Sequence, residues 1–193
     1  MFRETIENDE ILQLPVGTFD GEIVVIDNQE DMLSAVEYLS QFKVIGYDTE
    51  TKPSFRKGVS NKVSLLQLSG ADRCYLIRLN QTKLSVEMLG LLENGAITKV
   101  GAAIRDDIKS MCQRQKFTPS GFVDLQSIVG EFGIKELSVK KMAAIVLGVR
   151  ISKAQRLTNW EAKTLTPSQQ SYAATDAWVC REIYNKLTAS KQK

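Results

Sequence analysis

The stretch KVIGYDTETKPSFRKGVSNKVSLLQLSGADRCYLIRL, residues 43–79, decides the fold. Three runs within it, Lys43–Glu50, Lys62–Leu68 and Cys74–Leu79, are rich in Val, Ile, Leu and Tyr and are separated by polar, turn-forming segments. Such runs read as the three strands of a β-meander. Upstream, Glu22–Ile26 reads as another strand. Glu30–Phe42 reads as a helix, with Met32, Leu33, Val36 and Leu39 at helical spacing. Downstream the pattern alternates: Leu84–Leu92 helix, Ile97–Ala102 strand, Ile104–Gln115 helix, Phe122–Ile128 open between strand and helix, Ser138–Leu147 helix. The start of a last, long helix is marked by Thr166 as N-cap, Pro167 at the first helical position and Gln169 closing a capping box. Strands first, then helices interspersed with strands, predict an α/β domain whose mixed β-sheet is flanked by helices on both faces.

Composition bounds what such a domain is. At 193 residues, 43% hydrophobic and 25% charged, the chain has enough length for one sizeable core. Residues 1–21 are polar and mixed and read as an N-terminal extension, leaving residues 22–193 as a single domain. No stretch of about eighteen apolar residues is present to span a bilayer, and the first residues lack the apolar core of a secretory signal. Cys74, Cys112 and Cys180 are isolated and odd in number, so they read as reduced thiols. A cytoplasmic or nuclear protein is expected. The net charge of +2 does not by itself argue for nucleic acid, so any basic footprint has to be local.

The chemistry-bearing residues are acids in apolar settings. Along Val44–Glu50 side chains alternate, so Asp48 and Glu50 share one face of a strand. In Ile104–Met111 the buried stripe of a helix runs through Ile104, Ile108 and Met111; Asp107 falls within it and Asp106 outside. On the last helix Val179, Cys180, Ile183 and Leu187 define the inner face, and Asp176 and Tyr172 continue that line one and two turns earlier. An ionised carboxylate directed inward is costly unless something cationic meets it. The chain contains no histidine, so the donors are all oxygens, a set that suits Mg²⁺ or Mn²⁺ rather than zinc. The set reads as a two-metal phosphodiesterase site. Asp124, also in an apolar run, reads as a structural aspartate that hydrogen-bonds a loop.

The order D-x-E, an Asp on a helix, then Y-x-x-x-D resembles the three motifs of DEDD-type 3′–5′ exonucleases of the ribonuclease H-like superfamily, in the tyrosine branch. The surrounding segments DTETKPSFRKG, VSLLQLS, KVGAAIRDD, LSVKKMAAIVLGV, SKAQRLTNWEAKTLT and QQSYAATDAW are similar to Werner-type exonuclease domains and their free-standing bacterial relatives, with ribonuclease D more distant. The likeness runs from about Gly21 to Leu187. The doubled Asp106-Asp107 leaves the second motif open by one residue, and the helical stripe assigns it to Asp107. The resemblance implies that Asp48, Glu50, Asp107 and Asp176 hold two divalent cations, Mg²⁺ or Mn²⁺, and that Tyr172 orients the attacking water.

It also implies a nucleic-acid substrate with a free 3′ end, DNA favoured over RNA, and release of nucleoside 5′-monophosphates. Two rivals stay open: RNA 3′-end trimming of the ribonuclease D type, and a non-catalytic nucleic-acid-binding module on the same fold. Lys153 and Arg156 in the basic connection before the last helix, and Arg56 and Lys57 after the first motif, are the expected contacts to substrate phosphates. Trp160 is expected to pack.

Overall fold

In the computed structural model, residues 2–54 and 61–191 are described. Six strands form one sheet: β1 (Glu22–Ile26), β2 (Val44–Thr51), β3 (Val63–Ser69), β4 (Arg73–Arg78), β5 (Thr98–Gly101) and β6 (Phe122–Asp124). Their order is β1-β4-β3-β2-β5-β6. The meander β2-β3-β4 is antiparallel, as the three apolar runs predict. β1 adds to β4 in parallel, β5 adds to β2 in parallel, and β6 adds to β5 in parallel.

One face of the sheet is covered by α2 (Met32–Leu39), α3 (Val86–Glu93) and α4 (Arg105–Arg114). Their apolar sides meet Tyr47, Leu66, Leu68, Tyr75 and Ile77. The other face carries α6 (Val139–Leu147) and the 24-residue α7 (Pro167–Ser190). Phe122–Ile128 resolves into both of its alternatives. β6 ends at Asp124, which then caps the short α5 (Leu125–Ile128) by accepting from Gln126 N at 2.9 Å.

α7 starts where its signals put it: Thr166 accepts from Gln169 N, and Gln169 reaches back to Thr166 N. This helix lies against the sheet with Tyr172, Ala173, Asp176, Ala177, Cys180, Ile183 and Leu187 buried, a 3–4 residue repeat. Small residues at the crossing let the backbones approach. A Cβ on Gly46 of β2 would lie 2.0 Å from the carbonyl oxygen of Ala177, so only glycine fits there. The N-terminal residues wrap this layer. Ile6 and Ile11, the latter in α1 (Asn8–Leu12), pack on Ala144 of α6, and Phe19 N donates to Thr175 Oγ1 at 3.0 Å. Cys74 and Cys180 are buried, Cys112 is partly buried, and all three are free thiols. Among the described residues no helix is long and apolar enough to cross a membrane.

Candidate active site

Alternation along β2 sends Gly46, Asp48 and Glu50 toward α7 and Tyr47 and Thr49 toward the opposite layer. Asp176 stands on the facing side of α7, 5% exposed. One carboxylate oxygen from each of Asp48, Glu50 and Asp176 lies within 4.8 Å of the other two. The three acids open into a cavity of about 180 Å³, whose wall also includes Lys153, Arg156, Tyr172 and the apolar Val139 and Ala102.

Asp107 arrives from the other side of the sheet. As the helix phase predicts, Asp106 is exposed and Asp107 partly buried. α4, however, packs on the face of β2 that carries Tyr47 and Thr49, and Thr49 acts on the Asp107 carboxyl. Asp107 therefore stands behind the three-acid group rather than inside it. Its charge still acts on Asp48 and Glu50.

Burial and mutual repulsion dominate the electrostatics. Asp48 is raised well above the carboxylate range, first by desolvation and then by the charges of Asp176 and Asp107. Glu50 is pushed up to about 9 by the same burial and by Asp48 and Asp176. Asp107 rises to about 6, mainly by burial, with the Thr49 hydroxyl pulling it back. Asp176 is also raised by burial, opposed by the Lys153 ammonium and the Tyr172 hydroxyl. Every shift is upward, so burial and crowding disfavour ionised carboxylates here and added positive charge would offset both. An all-oxygen donor set with an unmet demand for cations fits a hard divalent ion.

Tyr172 is buried one turn before Asp176, and its phenol is raised by burial and the surrounding acids, so it carries its proton at neutral pH. Its ring packs against Trp160 at a centroid distance of 6.0 Å, and Trp160 is fully buried, the packing role expected of it.

Lys153 and Arg156 both line the acid cavity. Lys153 does more than the sequence suggested: its Nζ donates to Asp176 Oδ1 at 3.1 Å and to Oδ2 at 3.2 Å. Arg56 and Lys57 lie outside the described residues. Asp124 is structural, as expected: its carboxylate accepts from Ala103 N at 2.9 Å and Ile104 N at 3.1 Å as well as from Gln126 N. These bonds hold the turn before α4, where Ala103 adopts φ +58°.

Gln67 is the neighbour that sequence reasoning passed over. It pairs with Asp48 across β2 and β3 and is fully buried, with no hydrogen-bond partner for its amide among the described residues. Its signal was present as the single polar long side chain within VSLLQLS.

Residues 23–191 match the family model described as 3′-5′ exonuclease. The chain belongs to the 3′–5′ exonuclease family. It is 31% identical over 184 residues to the mouse bifunctional 3′-5′ exonuclease/ATP-dependent helicase WRN, covering 90% of this chain and 13% of that protein. It is 30% identical over 171 residues to ribonuclease D of Acidiphilium cryptum, covering 87% of this chain and 43% of that one. The chain thus spans less than half the length of either relative. The solved structure of Escherichia coli RNase D superposes with a TM-score of 0.79 at 24% identity, covering 89% of this chain and 45% of that one. The fold is that of the exonuclease domains, with the mixed sheet flanked by helices that the sequence predicts.

Proposed function

We propose that this exonuclease domain hydrolyses the terminal phosphodiester at a nucleic-acid 3′ end and releases nucleoside 5′-monophosphates. The observation that carries the proposal is the meeting of Asp48, Glu50 and Asp176 within 4.8 Å beside Tyr172 and two cations from one loop. Asp48, Glu50 and Asp176, with Asp107 behind them, would hold two divalent ions, Mg²⁺ or Mn²⁺. Such ions, when bound, activate water and offset the charge that develops on the leaving 3′ oxygen.

The chain's own residues do the rest. Tyr172 keeps its proton, so its hydroxyl acts as an orienting group for the attacking water, not as a free base. Arg156 presents a fork of donors suited to the scissile phosphate. Val139 and Ala102 make part of the cavity wall apolar. Packing between Trp160 and Tyr172 fixes the phenol ring against the helix.

DNA is the substrate that the Werner-type motifs favour. The likeness to ribonuclease D supports a second reading, RNA 3′-end trimming with identical chemistry. Degradation of matched DNA and RNA oligomers in Mn²⁺ and in excess chelator tests both. Release of 5′-monophosphates from one oligomer, abolished by chelator, is the expected result. Undiminished activity in chelator removes the two-cation site, and no degradation of either oligomer favours a binding module.

A further inference from the structure

Arg156 and Lys153 share one loop at the acid cavity, yet Lys153 points at an acid. Both Asp176 oxygens are engaged by one ammonium group. That ammonium also lies 5.6 Å from the centre of the Tyr172 ring, so it sits between the two motif residues of α7. Its positive charge acts on Asp48 and Glu50 as well.

The backbone holds it there. Arg150, three residues earlier, is clamped to the N-terminal segment: its N–H donates to Pro15 O, its carbonyl accepts from Gly17 N, and its Nε donates to Leu14 O. Ile151 is buried between. The loop is therefore anchored, while the Lys153 side chain itself remains 39% exposed and has a path outward. Lys99, which is fully buried, offers a contrast. Its Nζ donates to the carbonyls of Leu91, Asn94 and Ile97, and no ion pair joins it to a carboxylate among the described residues.

We propose that Lys153 is the internal counter-ion of the acid pocket, competing with a divalent cation for Asp176 and turning to the substrate phosphate once the cation binds. The inference rests on the reading of the pocket as a divalent-cation site. One ammonium offsets one of three clustered carboxylates, whereas a divalent ion offsets two, so the ion displaces the lysine and not the reverse. The displaced ammonium stays on its anchored loop at the cavity wall, beside Arg156, where a phosphate would lie. Lys153 is thus a positioning residue before the cation binds and a substrate contact afterwards.

Calorimetric titration of the full chain with Mn²⁺, without nucleic acid, tests the competition in the wild type, Lys153→Met and Lys153→Gln. Both variants remove the charge, and the Gln side chain keeps a donor for Asp176 should the Met variant fold poorly. Because the lysine is partly exposed, its loss should tighten Mn²⁺ binding by only about threefold to fivefold. Melting in chelator should drop slightly, and the gain in melting temperature on adding Mn²⁺ should grow. Equal or weaker Mn²⁺ binding in both variants overturns the inference while leaving the cation site standing. A wild type that binds no Mn²⁺ overturns the cation site and the inference together. The second half is read from binding of a single-stranded oligonucleotide: Lys153→Met should weaken it in Ca²⁺ but not in chelator, and an equal loss in both conditions overturns the hand-over to phosphate.

Discussion

Asp48 near the end of β2 and Asp124 at the end of β6 are two strands apart in one sheet, both partly buried, both led into by apolar residues. Their surroundings are opposite. Asp124 accepts three backbone N–H groups, from Ala103, Ile104 and Gln126, and lies outside the wall of the acid cavity. Asp48 faces Glu50 and Asp176 and is held far from its ordinary ionisation by burial and by its neighbours' charge. One carboxylate is spent on holding a turn, and the other is left needing a cation. The difference separates a structural acid from a functional one more sharply than position or burial does.

The comparison can be broken first at Asp176. Asp176→Asn should lower exonuclease turnover roughly 10²-fold or more. Its melting temperature in chelator should hold or rise, because removing a buried carboxyl from a crowded acid group offsets the loss of its pairing with the partly exposed Lys153. A variant that melts much earlier in chelator would make Asp176 a structural acid after all.

Asp124→Ala should do the reverse. Losing three N–H partners and a helix cap costs about 2–3 kcal/mol, or roughly 5–10 °C for a domain of this size. Thermal denaturation measures it, and an unchanged melting temperature would erase the contrast.

Asp107 lies between the two cases, and its neighbour serves as the control. Asp107→Asn should cost about tenfold or more in turnover, since it stands behind the acid group and shapes its charge. Asp106→Asn should stay within about threefold, as exposed charges contribute little. Steady-state rates on one oligomer decide it, and the opposite ranking would place Asp106 at the site.

The smallest effect is on pH. Glu50 is raised from 4.5 to about 9 and Asp107 from 3.8 to about 6. Folded pKa values above the unfolded ones mean that the folded protein keeps protons the unfolded chain has lost. Stability without metal should therefore fall as pH rises from about 4.5 toward 9. Melting in chelator at pH 5.5 should exceed that at pH 8.5 by about 2–5 °C. A flat or rising profile would mean that the acids are better satisfied than their crowding indicates.

Much of this was legible in local sequence. The meander follows from three apolar runs, and the start of α7 from Thr166, Pro167 and Gln169, because strands and caps are set by neighbours in the chain. Asp48, Glu50 and Asp176 stood out because acids interrupt apolar periodicity. Three things were not legible, each because it depends on distant segments. That Asp107 approaches from the opposite face follows from α4 packing with α2 and α3, a choice fixed by sheet order. The pairing of Lys153 with Asp176 depends on a loop anchored by residues 14–17, more than a hundred positions away. Gln67 sits beside Asp48 only once the register of β2 and β3 is known. Phe122–Ile128 stayed ambiguous because a three-residue strand running straight into a four-residue helix carries neither period long enough to read.

Gly46 has a bearing on tolerance. At Gly46 the strand β2 rests on the Ala177 carbonyl of α7, so the separation between the strand's two acids and Asp176 is set there by main chain against main chain. Cores drift: a leucine becomes a methionine, a valine an isoleucine, and layers shift by fractions of an ångström to accommodate them. Here such drift has nothing to push on at the point of contact. The three carboxylates keep their spacing as the surrounding core is rewritten, and the glycine itself becomes the position that cannot change.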